Sequence, residues 1–231
     1  VHTNVSGTKN VSAAAIAGRV DRFILVSTDK AVRPTNVMGA TKRIAEMLIQ
    51  SLNERNHTRF LAVRFGNVIG SSGSVIPLFQ QQIASGGPVT VTHPEVTRYF
   101  MSIPEAAQLI LQAGAMGEGG EIFILDMGEP IRIVDMAKDL IRLHGLEPDK
   151  DIPIEFIGLR PGEKLYEELI TSGEDVVRTN HKKIMVLRGD PQDAKALQTK
   201  VEALLDIARV GNHKEIKQKL QEIVPEYKPY L

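Results

Sequence analysis

The sequence predicts an α/β fold built on a parallel sheet, and three neighbouring segments carry that prediction. Residues 23–27 and 60–65 are short, continuous apolar runs, which are typical of strands buried on both faces. Between them, residues 41–53 repeat apolar side chains at helical spacing, which predicts a helix with one buried stripe. A strand, a helix and a second strand in this order form a βαβ unit with a right-handed crossover, so we expect the two strands to be parallel.

The other elements follow from periodicity and from turn residues. A helix rich in Val and Ala is predicted at 4–17, before the first strand, and Pro34 and Asn36 mark a loop before the helix at 41–53. After the second strand we predict a further series: helix 75–84, strand 89–92, helix 104–113, strand 121–125, helix 133–143, strand 152–157 and a short helix 163–169. From Asp193 onward the pattern predicts two amphipathic helices with charged outer faces.

Composition excludes several classes of protein. The 231 residues carry 28 Lys and Arg against 28 Asp and Glu, so no overall field favours nucleic acid or an anionic membrane. The chain has no Cys, and its six His show no paired metal spacing, so neither a disulfide nor a metal site is predicted. No apolar run approaches the roughly 20 residues of a spanning helix. The first residues lack an initiator Met and run into helical sequence, so we expect a piece of a longer protein, truncated at the N-terminus.

An acid and an amine lie side by side where the first strand ends. Thr28, Asp29 and Lys30 follow the apolar run directly, and the carboxyl edge of a parallel sheet is where ligands bind. Lys42 lies on the first turns of the next helix, with Met38 one turn before it. Taken singly, these residues are read as a cap and as solvated lysines. Together they are candidates for proton transfer.

Four motifs occur in an order that resembles a known family. They are Asn4–Val11, Ser27–Asn36, Arg64–Gly70 and Arg160–Lys164. Together they resemble the extended short-chain dehydrogenase/reductases that act on nucleotide sugars, in particular the UDP-N-acetylglucosamine 4,6-dehydratases of bacterial capsule, O-antigen and flagellin-glycan synthesis. The chain has a methionine at position 38, where smaller relatives carry tyrosine, and in this it resembles the large, membrane-associated members.

The resemblance implies the domain organisation. The chain is expected to hold the C-terminal portion of a Rossmann-type parallel sheet, in residues 1–74 and 96–128. A smaller α/β substrate-binding subdomain is expected in residues 75–95 and 129–231, with a C-terminal helical tail. The resemblance also implies a homo-oligomer with cytoplasmic localisation. The full-length parent is then expected at the cytoplasmic face of the inner membrane, anchored through its missing N-terminal region.

The implied reaction is an internal redox dehydration that uses NAD or NADP. The family moves a hydride from sugar C4 to the nicotinamide, eliminates water across C5 and C6, and returns the hydride at C6. The residues that match cofactor-binding positions are Ser27, Met38, Lys42, Phe65 and Gly66. No glycine-rich turn that places a pyrophosphate at a helix N-terminus occurs before Asn4, so we expect this chain alone to bind the cofactor poorly or not at all.

The resemblance also assigns catalytic and substrate-binding residues. Asp29 matches the acid for the departing C6 oxygen and Lys30 the base for the C5 proton. A lysine is a base only in its neutral form, which burial or a neighbouring cation such as Lys42 favours. Because Met38 cannot ionise, Thr28, Asp29 or a bound water is left to take the C4 hydroxyl proton. The UDP-sugar is expected to contact four further residues: Arg98 and Arg160 at the diphosphate, Asn67 near the phosphates and Glu163 at the uridine ribose.

Two other functions compete with this interpretation. A nucleotide-sugar 4-epimerase or reductase requires an acid-base group at C4 and no elimination pair, so Asp29 and Lys30 beside Met38 argue against it. A non-catalytic domain that binds nucleotide sugars, in which the loss of tyrosine marks the loss of activity, is the second alternative.

Overall fold

The computed structural model describes residues 1–53, 57–71, 73–170, 175–187 and 193–229. The helices are a π-helical turn at His2–Ser6 that runs into α1, a 3-10 turn at Asp29–Ala31, and the α-helices α1 Gly7–Ala17, α2 Val37–Ser51, α3 Val75–Ala84, α4 Ile103–Met116, α5 Ile133–Leu143, α6 Ala194–Val210 and α7 His213–Ile223. The strands are β1 Arg22–Val26, β2 Arg59–Arg64, β3 Asn67–Val68, β4 Val89–Val91, β5 Thr97–Arg98, β6 Phe100–Met101, β7 Ile122–Leu125, β8 Ile131–Arg132, β9 Ile154–Phe156, β10 Val176–Arg178 and β11 Ile184–Leu187.

The chain divides into two compact units. The sheet unit comprises Val1–Phe65, Gln108–Asp126 and Glu168–Leu231. Its five-stranded sheet has the order β1-β2-β7-β11-β10, with β1 and β10 at the two ends. Strands β1, β2 and β7 are parallel to one another. Strand β11 pairs antiparallel with β7, and β10 pairs antiparallel with β11. The predicted α/β fold with a parallel sheet is therefore confirmed.

Two faces of helix α2 are buried within the sheet unit. Ala45 and Ile49 join the cluster on the sheet, whose other buried members are Ala15, Leu25, Phe60, Ala62, Ile122, Ile124 and Leu187. Ala40, Ile44 and Met47 pack instead in a second cluster with α6, α7 and the residues after them: Leu197, Val201, Leu204, Leu205, Leu220, Ile223, Val224 and Tyr227. The single buried stripe predicted for this helix is thus wrong, because the tail covers the face that the sheet leaves.

The small unit comprises Gly66–Ala107 and Met127–Glu167. Its core lies between α3, α5 and the parallel pair of β4 and β9, and its largest buried side chains are Phe79, Ile83, Ile133, Ile141 and Ile152. Two further two-stranded sheets join β3 with β6 in parallel and β5 with β8 in antiparallel orientation. These short strands carry Asn67 and Arg98, two of the four residues that the sequence analysis assigned to the substrate.

One predicted element is absent, and six short strands were missed: β3, β5, β6, β8, β10 and β11. Residues 163–169 form an irregular segment with bends and no helix, because Thr97 donates its backbone N–H to the Leu165 carbonyl at 3.1 Å and so ties this stretch to β5. Strands β10 and β11 have only three and four residues, too few for an alternating pattern to stand out.

The division into units also differs from the predicted domains. Residues 66–74 and 96–107 lie in the small unit, whereas residues 168–231 lie in the sheet unit. The physical reason for the second difference is that β10, β11 and the tail helices bury their apolar side chains on the sheet and on α2.

Candidate active site

Two backbone hydrogen bonds continue the pairing of β1 and β2 beyond the end of β1. Ser27 N donates to Val63 O at 2.7 Å, and Asp29 N donates to Phe65 O at 3.0 Å. The chain then enters the 3-10 turn, for which Thr28 is the N-cap. This arrangement fixes Thr28, Asp29 and the following Lys30 at the carboxyl edge of the parallel strands, as the sequence predicts.

The acid and the amine at this edge are in direct contact. Lys30 Nζ lies 2.9 Å from Asp29 Oδ1, and the Thr28 hydroxyl donates to the same oxygen at 2.8 Å. The Asp29 side chain is fully buried, while that of Lys30 keeps 24% of its exposure. The ammonium therefore reaches solvent, and the carboxylate lies behind it.

The second carboxylate oxygen of Asp29 is the unusual atom of this group. Oδ2 is buried, and it has no hydrogen-bond partner among the residues that the structure describes. A buried polar atom without a partner costs roughly 1–3 kcal/mol, so native proteins rarely keep one without a reason. The arrangement leaves one oxygen of a firmly held, buried carboxyl group without a hydrogen-bond partner in the described part of the chain.

Helix α2 begins close to the 3-10 turn. The Asn36 side chain caps it by accepting from Gly39 N at 2.9 Å. A Cβ on Gly39 would lie only 2.1 Å from the backbone O of Lys30, so this first turn approaches the Lys30 backbone at a distance that only glycine permits. Met38 is 43% exposed on the same turn, and its thioether carries no ionisable group.

Lys42 reaches back from α2 to the end of β1. Its Nζ donates to Val26 O at 3.0 Å, one residue before Ser27. Half-burial lowers the pKa of the Lys42 amine, and the nearby Glu46 carboxylate opposes that shift. An ammonium has three N–H donors, so this one can serve a second acceptor beside the carbonyl.

A buried ion-pair network lies behind the strand end, and the sequence analysis missed it. Arg64, the last residue of β2, donates Nε to Glu46 Oε1 at 3.1 Å and Nη2 to Glu46 Oε2 at 2.8 Å. Both side chains are fully buried. Arg43 Nη1 donates to Glu46 Oε2 at 3.1 Å, and the Ser27 hydroxyl donates to Glu46 Oε1 at 2.7 Å. The available signal was an Arg that ends an apolar strand and a Glu that shares the helix with a buried stripe.

The network fixes the charge of Glu46. Burial by itself raises the pKa of this carboxyl group, but the Arg64 guanidinium, with smaller contributions from Arg43 and Ser27, holds the pKa below its ordinary value. Glu46 is therefore a carboxylate at neutral pH. Because the Ser27 hydroxyl has a single proton and gives it to Glu46, its oxygen faces any other group as an acceptor.

The predicted substrate residues lie in the small unit. Arg98 Nη2 lies 2.9 Å from Glu163 Oε1, and Thr92 Oγ1 donates to the same oxygen at 3.1 Å. The Arg98 side chain is 10% exposed and that of Glu163 is 21% exposed. The backbone N–H of Arg160 donates to Glu163 Oε2 at 3.1 Å, and Arg160 itself is exposed. Glu163 thus joins the two arginines that the sequence analysis assigned to one ligand.

Phe65, Gly66 and Asn67 follow β2, where the chain passes from one unit to the other. Phe65 is buried, and its carbonyl accepts from Asp29. Asn67 N donates to Tyr99 O at 3.0 Å within the pairing of β3 and β6. Among the described residues, no cluster of His, Asp and Glu could hold a metal ion, and no helix is long and apolar enough to cross a membrane.

The parallel sheet, with an acid, an amine and a helix-borne lysine at its carboxyl edge, defines a Rossmann-like α/β protein. The sequence profile of the Polysaccharide biosynthesis protein family matches residues 1–189, and the chain belongs to that family. The residues beyond 189, which include α6 and α7, lie outside the match.

Individual relatives carry different names. The capsular polysaccharide biosynthesis protein CapD of Staphylococcus aureus is 67% identical over 175 residues, which cover 75% of this chain and 29% of CapD. A UDP-glucose 4-epimerase of Rickettsia canadensis is 41% identical over 181 residues, or 77% of this chain and 51% of the epimerase. The chain therefore spans between under a third and about half of these relatives.

Solved structures share the fold. Pen from Bacillus thuringiensis has a TM-score of 0.75 at 39% identity, over 83% of this chain and 60% of Pen. Two dTDP-glucose 4,6-dehydratases and a UDP-glucose 4-epimerase, each solved with NAD, are 18–20% identical with TM-scores of 0.61–0.66. These more distant likenesses establish the Rossmann-like fold of the chain.

Proposed function

We propose that this chain is the catalytic segment of a UDP-N-acetylglucosamine 4,6-dehydratase that produces a UDP-4-keto-6-deoxy sugar for a bacterial polysaccharide. One observation carries the proposal. The buried Asp29 carboxyl group is bonded through Oδ1 to Thr28 and Lys30, and its Oδ2 has no partner within the described part of the chain. Elimination across C5 and C6 needs an acid and a base held side by side, and this pair supplies both.

The hydrogen bond between Lys30 and Asp29 provides a route to the required protonation states. Transfer of one proton from Lys30 Nζ to Asp29 across this 2.9 Å bond turns the ion pair into a neutral amine and a carboxylic acid. Lys30 then takes the C5 proton, while Asp29 gives its proton to the departing C6 oxygen, which leaves as water. Both groups then carry the charges from which they started. The C4 hydroxyl releases one proton when its hydride leaves, to Thr28, Asp29 or a bound water, and one proton is taken up at C5 when the hydride returns at C6, so the turnover balances.

Lys42 is proposed to bind the nicotinamide ribose. Its half-buried ammonium lies at the end of β1, and donors beyond the one used at Val26 O suit ribose hydroxyls. NAD or NADP, when bound, accepts a hydride from sugar C4 and returns it at C6. Ser27, Met38, Phe65 and Gly66 are proposed to line the same cofactor site, and the chain alone is proposed to bind NAD poorly.

Residues of the small unit are proposed to bind the UDP moiety. Arg98 has donors directed at Glu163 and at the Thr97 carbonyl, so it is held in one orientation for a bidentate phosphate contact. Arg160 is exposed, and its backbone N–H donates to Glu163, the same carboxylate that Arg98 binds. We propose diphosphate contacts for the two arginines, a ribose contact for Glu163 and a phosphate-side contact for Asn67.

Product analysis by NMR tests the function in the intact protein supplied with UDP-N-acetylglucosamine. A C6 methyl signal and a C4 ketone are expected. Lys30→Ala and Asp29→Asn are expected to abolish this product while the UDP-sugar still binds. Lys150→Ala, which removes an exposed lysine paired with Glu147, is the matched control and is expected to leave turnover unchanged. Full turnover by the Lys30 variant would refute the mechanism.

A 4-epimerase is the second candidate, because a relative with that name is 41% identical. The same NMR experiment separates the two functions. An epimerase yields a C4 epimer that keeps its C6 hydroxymethyl group and forms no stable ketone. The finer properties of the parent, a homo-oligomer anchored at the cytoplasmic face of a membrane, remain part of the proposal, and the greater length of the relatives is compatible with an additional anchor.

A further inference from the structure

The C-terminal tail, defined as residues 193–229, contacts the active-site helix although it lies outside the residues that match the family. Its apolar side chains cover the face of α2 that carries Ala40, Ile44 and Met47. Beyond α7, Lys228 N donates to Pro34 O at 3.0 Å, in the loop between the 3-10 turn and α2. The tail is therefore bonded to the segment that leads from the proposed catalytic residues into the helix.

A polar contact from the tail also reaches the buried network. Arg43 lies between two carboxylates: its Nη1 donates to Glu46 at 3.1 Å and its Nε to Glu226 Oε1 at 3.2 Å. The side chain of Arg43 is 18% exposed and that of Glu226 38%. Glu46 in turn accepts the Ser27 hydroxyl at the end of β1. Four residues thus connect the tail to the strand end without a gap.

The charge count gives Glu226 a specific task. Arg43 and Arg64 both bind Glu46, so these three side chains carry one excess positive charge in a largely buried place. The carboxylate of Glu226 balances that charge and holds Arg43 in its present rotamer. Without it, solvent competes for Arg43, and Glu46 loses one of the donors that define its orientation.

We infer that Glu226 is a positioning residue of the candidate active site, which acts through Arg43 and Glu46 on Ser27 and the adjoining catalytic turn. The inference rests on the proposed function for its kinetic effect only. The contacts that carry it belong entirely to the sheet unit.

The test compares Glu226→Gln with Glu222→Gln in the intact protein. Glu222 lies on α7 and pairs with Lys219, so it offers the same chemical change without a contact to Arg43. Hydrogen exchange of the Ser27 and Asp29 amides, whose acceptors are Val63 O on β2 and Phe65 O just after it, reports opening of the strand end. Glu226→Gln is expected to accelerate this exchange about twofold to fivefold, as befits a partly exposed ion pair, with the core of α6 unchanged. Glu222→Gln is expected to change neither.

Kinetics provide the second measurement. Glu226→Gln is expected to lower kcat about twofold to fivefold with KM for UDP-N-acetylglucosamine unchanged, and to have no further effect on kcat in a Ser27→Ala background. Unchanged exchange at the strand end, or an equal rise throughout the sheet unit, would overturn the inference. If the unmodified protein does not dehydrate the UDP-sugar, the proposed function fails, and the exchange comparison still decides the role of Glu226.

Discussion

Replacing Gly39 by alanine sets two effects of opposite sign against each other. Gly39 is the third residue of α2, where alanine favours the helix by roughly 0.8–1.0 kcal/mol over glycine. The structure opposes this gain, because the new Cβ would lie 2.1 Å from Lys30 O, 3.0 Å from Lys30 C and 3.1 Å from Pro34 Cβ. The nearest obstacle is backbone and has no rotamer by which to move aside.

The steric effect is expected to win. Overpacking of this kind costs about 1–3 kcal/mol, and a rigid obstacle places the cost near the upper end. Subtracting the helix gain leaves a net loss of about 2 kcal/mol in the free energy of unfolding. For a chain of this size that corresponds to a fall in Tm of about 4–8 °C. The displaced backbone carries Lys30, so the proposed dehydratase activity is expected to fall as well.

Urea unfolding followed by circular dichroism measures the change, and Gly7→Ala is the matched control. Gly7 is also helical, with φ −59° and ψ −48°, and a Cβ there would meet only His2 O at 3.7 Å. It is expected to stabilise the chain by up to about 1 kcal/mol. If Gly39→Ala proves as stable as the unmodified chain, or more stable, the close approach of α2 to the 3-10 turn is refuted.

Three further changes test other parts of the structure. Glu46→Gln leaves Arg64 buried without its partner and is expected to cost roughly 3–5 kcal/mol of unfolding free energy in urea at pH 7. Because the pKa of Glu46 is depressed in the folded state, its contribution to stability is present above the ordinary glutamate pKa and is lost as pH falls through the pKa of the folded state. If the difference in unfolding free energy between the variant and the unmodified chain did not narrow on acidification, this would be contradicted. Leu204→Ala, in the fully buried contact of α6 with α2, is expected to cost about 2–5 kcal/mol by the same assay, and a loss below 1 kcal/mol would argue against that packing. Met38→Tyr, at an exposed position, is expected to change the free energy of unfolding by less than about 0.5 kcal/mol. Because Lys42 lies one turn away, ultraviolet titration is expected to show that the new phenol has a pKa below that of an ordinary tyrosine. An unshifted titration would count against that proximity.

Long amphipathic segments were predicted well from the sequence. Helices α3 and α5 have the bounds that their periodicity predicts, since the apolar spacing and the flanking turn residues agree there. Helix α2 begins four residues earlier than predicted, because the Asn36 side chain caps it and the polar first turn packs on Lys30. That packing is a tertiary contact, which no local pattern contains.

The part of the candidate site that is local in sequence could be predicted, and the part that depends on tertiary contacts could not. Thr28, Asp29 and Lys30 are neighbours in sequence, and Lys42 joins them because a βαβ unit brings the start of its helix to the carboxyl edge of its strand. Glu46 and Arg64 come from different elements and meet only because one face of α2 packs on β2. The roles assigned to individual side chains at substrate and cofactor remain predictions.

The position of β1 at one end of the five-stranded sheet has a consequence for handling the chain in solution. Within the described residues β1 pairs with β2 alone, and its last residue, Val26, is 45% exposed. The opposite end, β10, is only three residues long and ends in Arg178, which makes it a poor template. Among the described strands, edge-to-edge pairing is thus favoured at β1, so strand-mediated contact between two copies of this chain is expected to join β1 to β1.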